Sequence, residues 1–186
     1  PATFGAAVLE PTRWSKVVGM AVPPGGAMGM AFLTNLAQVK RSWYMFFFQH
    51  PLSDMVVPAN DLAFIDLLWA DWSPGHDATD DLPHVKAALR DPANLTAALG
   101  YYRATLGDGY RDPALDAAQA ATQGIPPQPT LYLHGQTDGC IGTEVAESAR
   151  AMVPEHVRIH IVESAGHFLQ VEQPAEVNRL VLEFLA

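Results

Sequence analysis

Two side chains in the C-terminal third are of types that move protons and lie where a sheet edge would present them. Asp138 stands in HGQTDG (134–139), in the loop leaving the apolar run TLYLHG (130–135), and His167 stands in ESAGHF (163–168), just past the run VRIHIV (157–162). If both runs are parallel strands, the two loops open at the same carboxyl edge, where open α/β sheets place ligands and reacting groups. An imidazole oriented by a carboxylate is a general base, the second half of a nucleophile, His and Asp triad. The same positions also suit an aspartate that closes a turn with Gly139 and an ordinary loop histidine. Neither residue identifies a nucleophile.

The elements that must position them follow from hydrophobic period and breakers. Residues 130–135 read as a strand, 142–152 as a helix, 157–162 as a second strand and 174–185 as a terminal helix, an alternation that makes a parallel βαβ unit. At the other end, FGAAVL (4–9) reads as helix and VVGMAV (17–22) as a short buried strand stopped by Pro23, Pro24, Gly25 and Gly26. Between them the chain reads as all helical. Residues 31–49 hold no Gly or Pro, and Leu33, Leu36, Val39, Trp43 and Phe47 recur at helical spacing, which predicts one helix ended by His50-Pro51. Further helices are predicted over 60–70, 83–90 and 92–106, the last two with Pro in the first turn, where a missing N–H costs little. Residues 71–81 read as loop and 112–129, rich in Ala, Gln and Pro, as a linker.

Composition narrows the function classes. The 186 residues are 49% hydrophobic and 17% charged, which describes a chain with a real core. A formal net charge of -9 has the wrong sign for condensing onto phosphates or anionic lipid, so neither nucleic acid nor a membrane surface is an expected partner. The single cysteine, Cys140, excludes an internal disulfide and a cysteine-based zinc cage, and it suits a reducing, cytoplasmic setting. No run approaches the ~18 apolar residues of a spanning helix. The chain opens at Pro1 with neither Met nor a basic leader, so no signal peptide is expected. The seven histidines show no metal-ligand spacing; His156 and His160 straddle a strand start. Gly25, Gly26 and Gly29 lack the dinucleotide fingerprint, and Asp77, Asp80 and Asp81 lack calcium-loop spacing. No metal and no cofactor is implied.

The run PTLYLHGQTDGCIG together with ESAGHFLQVEQPAEVNRLVLEFL resembles the C-terminal third of the α/β-hydrolase fold, in which an Asp after a late strand and the His of a GHF turn serve as acid and base. VVGMAVPPGG resembles the strand that leads from the nucleophile-bearing helix into a helical cap. The resemblance implies a partial parallel sheet with an inserted cap: residues 1–30 as part of the core, 31–125 as the cap and 126–186 as the C-terminal core with Asp138 and His167. Within the cap, RSWYMFFFQHP (41–51) is similar to the cap helix of epoxide hydrolases, where a tyrosine stands five residues before the Gln, here Tyr44 before Gln49. LGYYRA (99–104) is similar to a second cap signature whose functional Tyr precedes Arg, here Tyr102, with Tyr101 its nearest competitor. Two phenols on separate helices can both donate to the oxygen of a strained ring and stabilise the developing alkoxide. The bland reading of such aromatics, alongside Trp43, Phe46, Phe47 and Phe48, is core.

An α/β-hydrolase also needs a nucleophile at a sharp strand-to-helix elbow. No GxSxG or equivalent stands before a helix in residues 1–186, and Thr3 lies within a helix body. The resemblance therefore places the elbow a few residues before Pro1, makes the chain a C-terminal piece, and leads to the expectation that it is inactive by itself. Strand 17–22 and the TLYLHG strand are expected to show an uncovered edge. The substrate class implied is a small apolar epoxide. Dehalogenases of the same fold favour Trp, Asn or His where this chain has tyrosines, serine esterases would share Asp138 and His167, and a non-catalytic module binding an apolar ligand in the cap remains from another class. Oligomeric state is not readable.

Overall fold

Three of the apolar runs become strands; the middle run buries both faces, while the run 157–162 leaves Arg158 and His160 exposed. The computed structural model describes residues 1–186, with β1 (Val17–Met20), β2 (Thr130–Gly135) and β3 (Val157–Val162) forming one parallel sheet in the order β1-β2-β3. Every residue of β2 is buried. Register pairs Val17 with Thr130 and Thr130 with Val157, so β2 is paired along both edges. This corrects the expectation of an uncovered TLYLHG edge: the sheet's open edges belong to β1 and β3. β1 also ends two residues early, because Ala21 turns into the left-handed region at φ 60, where strand pairing cannot continue.

Helices cover both faces of the sheet, as a parallel sheet requires. On one face, α1 (Ala2–Leu9) packs on β1, and α10 (Thr143–Ala149) contributes Val145, Ala146 and Ala149 to a core with Phe4, Val17 and Tyr132. On the other, α11 (Leu169–Glu172) and α12 (Pro174–Leu185) bury Leu169 and Val177 against Leu131, Leu133 and Val162. The α12 residues Val177, Leu180, Val181 and Phe184 recur at helical spacing and form the inward stripe.

The helical middle departs from the sequence reading in two places. Instead of one helix over 31–49 there are three: α2 (Ala27–Thr34), α3 (Leu36–Arg41) and α4 (Trp43–Phe47). Asn35 breaks the run in extended geometry, and its side chain accepts the N–H groups of Ala37 and Gln38, so a capped helix starts afresh there. Ser42 makes the second break. The chain continues through α5 (Ser53–Val56), α6 (Ala59–Trp72, left-handed at Asn60, Asp61 and Leu62), α7 (Leu82–Leu89) and α8 (Pro92–Leu106), the last capped by the Asp91 carboxylate on Ala93 N–H. The second departure is the expected linker, which holds a 3-10 turn (Pro113–Leu115) and α9 (Asp116–Ala121) packed on α1. Small residues explain why the sequence hid it. A Cβ on Gly5 would lie 3.1 Å from the Thr122 methyl, so the segments meet by close approach rather than through large side chains. No helix is long and apolar enough to cross a membrane.

Candidate active site

The loops leaving β2 and β3 bring Asp138 and His167 into direct contact. His167 Nδ1 lies 2.9 Å from Asp138 Oδ2, with the Asp138 side chain fully buried and the His167 side chain 15% exposed. The other carboxylate oxygen, Oδ1, accepts the N–H groups of Cys140 at 2.8 Å and Ile141 at 2.9 Å. These two bonds aim the carboxylate at the imidazole, so the turn-closing reading and the acid-like placement hold together: Asp138 caps its own turn with one oxygen and meets His167 with the other. A third group lies beneath. His134 Nε2 is 3.0 Å from the Ile141 carbonyl, which it can only meet as a donor, and Nδ1 then accepts from the Tyr132 hydroxyl at 2.6 Å. Burial lowers the His134 pKa, partly offset by the charge of Asp138. It is a neutral strut under the pair.

Burial also pulls on the His167 imidazole, but here it loses. The hydrogen bond to Asp138 and that carboxylate's charge, helped by the neighbouring Cys140 sulfur, outweigh desolvation and raise the pKa to about 10. Cys140 is thus more than an indicator of redox setting. Its donor atom and those of Asp138 and His167 lie within 4.8 Å of one another. Its sulfur also meets the Tyr44 hydroxyl at 3.3 Å.

Tyr44 and Tyr102 converge on this point from different helices. Tyr44 on α4 is buried, Tyr102 on α8 is partly buried, and their rings meet edge to face with centroids 5.7 Å apart. Burial raises both phenol pKa values, with the nearby Cys140 adding to each, so both stay protonated donors. Tyr101 is 79% exposed and points away, which removes it as the competitor for this position. The core reading of the neighbouring aromatics holds for Phe48, which packs against Tyr44 and Tyr102, and in part for Phe47, which stacks on Phe64, but Trp43 and Phe46 are exposed. Beside Tyr102 a cavity of about 330 Å³ opens between α6, α7 and α8, lined by apolar side chains that include Leu68, Trp69, Leu99 and Phe168.

The order of strands and the helices on both faces define a fold shared with solved structures. An epoxide hydrolase from metagenomes of hot environments superposes with a TM-score of 0.74 at 22% identity, covering 99% of this chain and 63% of that one. A Bacillus megaterium epoxide hydrolase in complex with an inhibitor gives 0.69 at 24%, covering 99% and 64%. The chain has the α/β-hydrolase fold. In sequence, it is 26% identical to epoxide hydrolase 4 of Homo sapiens over 186 residues, covering 96% of this chain and 49% of the relative. No family model matches. The chain spans about half the length of the curated relatives it matches.

Within this fold, several groups around the pair carry no motif of their own. Gln38 on α3 is fully buried; its amide donates to the Cys140 carbonyl at 2.9 Å and its oxygen accepts Gly142 N–H at 2.9 Å, tying the helical middle to the Asp138 loop. The Trp72 carbonyl, at the end of α6, accepts both Gly139 N–H at 3.0 Å and His167 N–H at 3.1 Å. Residues 71–81, read from sequence as a plain loop, therefore begin with a contact to both the Asp138 and the His167 loops. The signal that could have found it is glycine placement. A Cβ on Gly139 would fall on the Asp71 carbonyl oxygen, and one on Gly166 would lie 2.6 Å from Ser73 Cα. Each glycine adjoins Asp138 or His167 because another backbone must come that close.

Proposed function

We propose that this chain supplies the acid, the base and the ring-oxygen donors of a hydrolase that opens small apolar epoxides to diols through a covalent aspartyl ester. In this reading residues 31–125 are the cap, and residues 1–30 with 126–186 belong to the hydrolase core. The observation that carries it is the convergence of two protonated phenols, Tyr44 and Tyr102, on the same side of the His167–Asp138 pair, with an apolar cavity beside them. The names of the similar proteins point the same way.

No residue in 1–186 sits at a strand-to-helix elbow, so the reading draws its nucleophile, a carboxylate, from a segment outside these residues. That carboxylate oxygen attacks a ring carbon, the C–O bond of the epoxide breaks, and the leaving oxygen takes a proton from Tyr44 or Tyr102. Phenol donors serve this step because they act on charge that exists only as the ring opens. In the second step the neutral form of His167, oriented by Asp138 and growing in population as pH rises toward about 10, takes a proton from water, whose oxygen attacks the ester carbonyl; the imidazolium returns that proton to the alkoxide as the ester C–O bond breaks, the diol leaves, and the phenolate regains its proton from solvent. No group beyond the protein is needed for either step.

The test uses the full-length protein with His167→Gln. Ring opening needs no base, while ester hydrolysis does, so the variant treated with an epoxide should gain the mass of the substrate and retain it. Loss of activity with no adduct would overturn the carboxylate nucleophile, since a serine requires His167 in the first step as well.

A further inference from the structure

The Glu172 carboxylate occupies an unusual place for an acidic side chain on a four-residue helix. It is turned back onto the loop that precedes α11, where Oε2 accepts Gly166 N–H at 2.7 Å and Oε1 accepts Phe168 N–H at 3.0 Å. Those are the two residues flanking His167. The same Oε1 accepts the Ser73 hydroxyl at 2.7 Å, and the Ser73 oxygen in turn accepts Phe168 N–H at 3.2 Å. His167 N–H itself goes to the Trp72 carbonyl. All three consecutive amides around the imidazole are therefore held by just two partners: one carboxylate, and the last residues of α6.

We infer that Glu172 is a positioning residue for His167, and that Ser73 makes its grip depend on where the end of α6 sits. The reasoning is geometric. The imidazole meets Asp138 through one nitrogen only, and a hydrogen bond weakens steeply as its angle degrades. His167 lies in a turn whose neighbours are Ser164 at φ 54 and Gly166, with no regular backbone ladder to hold it. A carboxylate accepting two backbone N–H groups and a hydroxyl replaces that ladder with charge-assisted bonds, the stronger kind. Because Trp72 ends the helix whose rings Trp69 and Trp72 line the apolar cavity and Ser73 follows it directly, a shift of that helix reaches the base through the same atoms. The inference deepens the proposed function, since it takes His167 as the base.

The test reads the His167 imidazole directly by NMR titration of histidine-labelled protein, with His167→Gln assigning the signal. The groups facing this ring are Asp138 and Cys140, with His134 beneath and the Tyr44 phenol beyond the sulfur. Glu172→Gln leaves too few acceptors for its three donors and should lower the His167 midpoint by about one pH unit or more through misalignment with Asp138. Ser73→Ala changes no charge and should lower it by a smaller but measurable amount. Glu176→Gln removes an equally negative but exposed carboxylate on α12 and should leave the midpoint in place. If Ser73→Ala has no effect, or Glu176→Gln has as much effect as Glu172→Gln, the clamp is overturned in favour of plain charge. Should Glu172→Gln fail to fold, Ser73→Ala alone decides. No substrate enters the measurement, so shifted midpoints in a protein that does not open epoxides would leave the clamp standing and remove the reaction reading.

Discussion

Asp138 and His167 are aimed by backbone groups, whereas Tyr44 and Tyr102 are aimed by other side chains. In the C-terminal region the carboxylate takes two N–H groups of its own turn, and the amides around the imidazole are held by Glu172 and the end of α6. In the helical middle, Tyr44 is wedged among Phe48, Trp72 and Tyr102 by ring contacts. Directional bonds fix an angle but fail abruptly when one partner is lost; packed rings tolerate small changes of shape and fix a position less sharply. The two regions should therefore respond differently to substitution. Damage to the first should appear as lost stability and a displaced titration, and damage to the second as lost rate in a protein that still folds.

The largest effect is expected at Asp138. Asp138→Ala strands two buried N–H groups and the imidazole in one change, and breaking a buried hydrogen-bonded ion pair typically costs about 3–5 kcal/mol. A denaturant midpoint shows the loss directly, and the His167 midpoint should fall toward its ordinary value. If Asp138→Ala melts like the parent, the buried carboxylate is not what orders this loop.

Next in size, and opposite in kind, is the pair of phenols. Tyr44→Phe and Tyr102→Phe together keep both rings and remove both donors, so folding should change little. Losing a preorganised donor costs on the order of 10²-fold in rate when nothing compensates, and each single variant should cost less because the other phenol remains. Single-turnover ring opening in the full-length protein, set against hydrolysis of an activated ester, isolates this step. Equal ring-opening rates in the double variant and the parent would remove the epoxide reading's main support.

The same contrast explains what could be read before any coordinates. The βαβ unit was legible because its strands are continuous apolar runs and each element closes locally, so the loops with Asp138 and His167 could be placed on one edge. The breaks at Asn35 and Ser42 were not legible, because helical spacing continues through them and only the cap made by the Asn35 side chain reveals the restart. The helix α9 was hidden because close approach at Gly5 leaves no large residue to mark it. Ser73, Glu172 and Gln38 were missed for a related reason. Their partners are backbone groups far away in sequence, and a residue's type says little about which distant amide it will meet.

A smaller effect is expected where the two regions touch, at Cys140. Its sulfur lies close to the imidazole and helps hold the His167 pKa up, so Cys140→Ser should lower the imidazole midpoint from about 10. The stability curve should move with it. A histidine whose pKa is raised on folding contributes stability that is complete below its unfolded value of ~6.5 and is lost as pH rises through the folded value. The parent should therefore lose melting temperature across the interval from there to about 10, and Cys140→Ser should lose less and complete its loss at lower pH. Coincident curves would mean that Asp138 alone sets the imidazole.

The smallest effect is expected one residue from Tyr102, which makes it the sharpest control. Tyr101 and Tyr102 are neighbours on α8, so their side chains point about 100° apart around the helix. Tyr102 faces Tyr44 and the cavity, while Tyr101 is 79% exposed. Its hydroxyl has no protein partner, and only its backbone carbonyl is engaged, by the Thr105 hydroxyl at 2.8 Å. Removing an exposed hydroxyl with no partner should change stability by less than about 0.5 kcal/mol and ring opening not at all. Tyr102→Phe, with the same atoms removed from the adjacent residue, should slow ring opening while leaving the denaturant midpoint close to the parent's. If Tyr101→Phe is instead the damaging change, α8 presents a different face to the reacting ring, and the paired-donor geometry with Tyr44 is wrong.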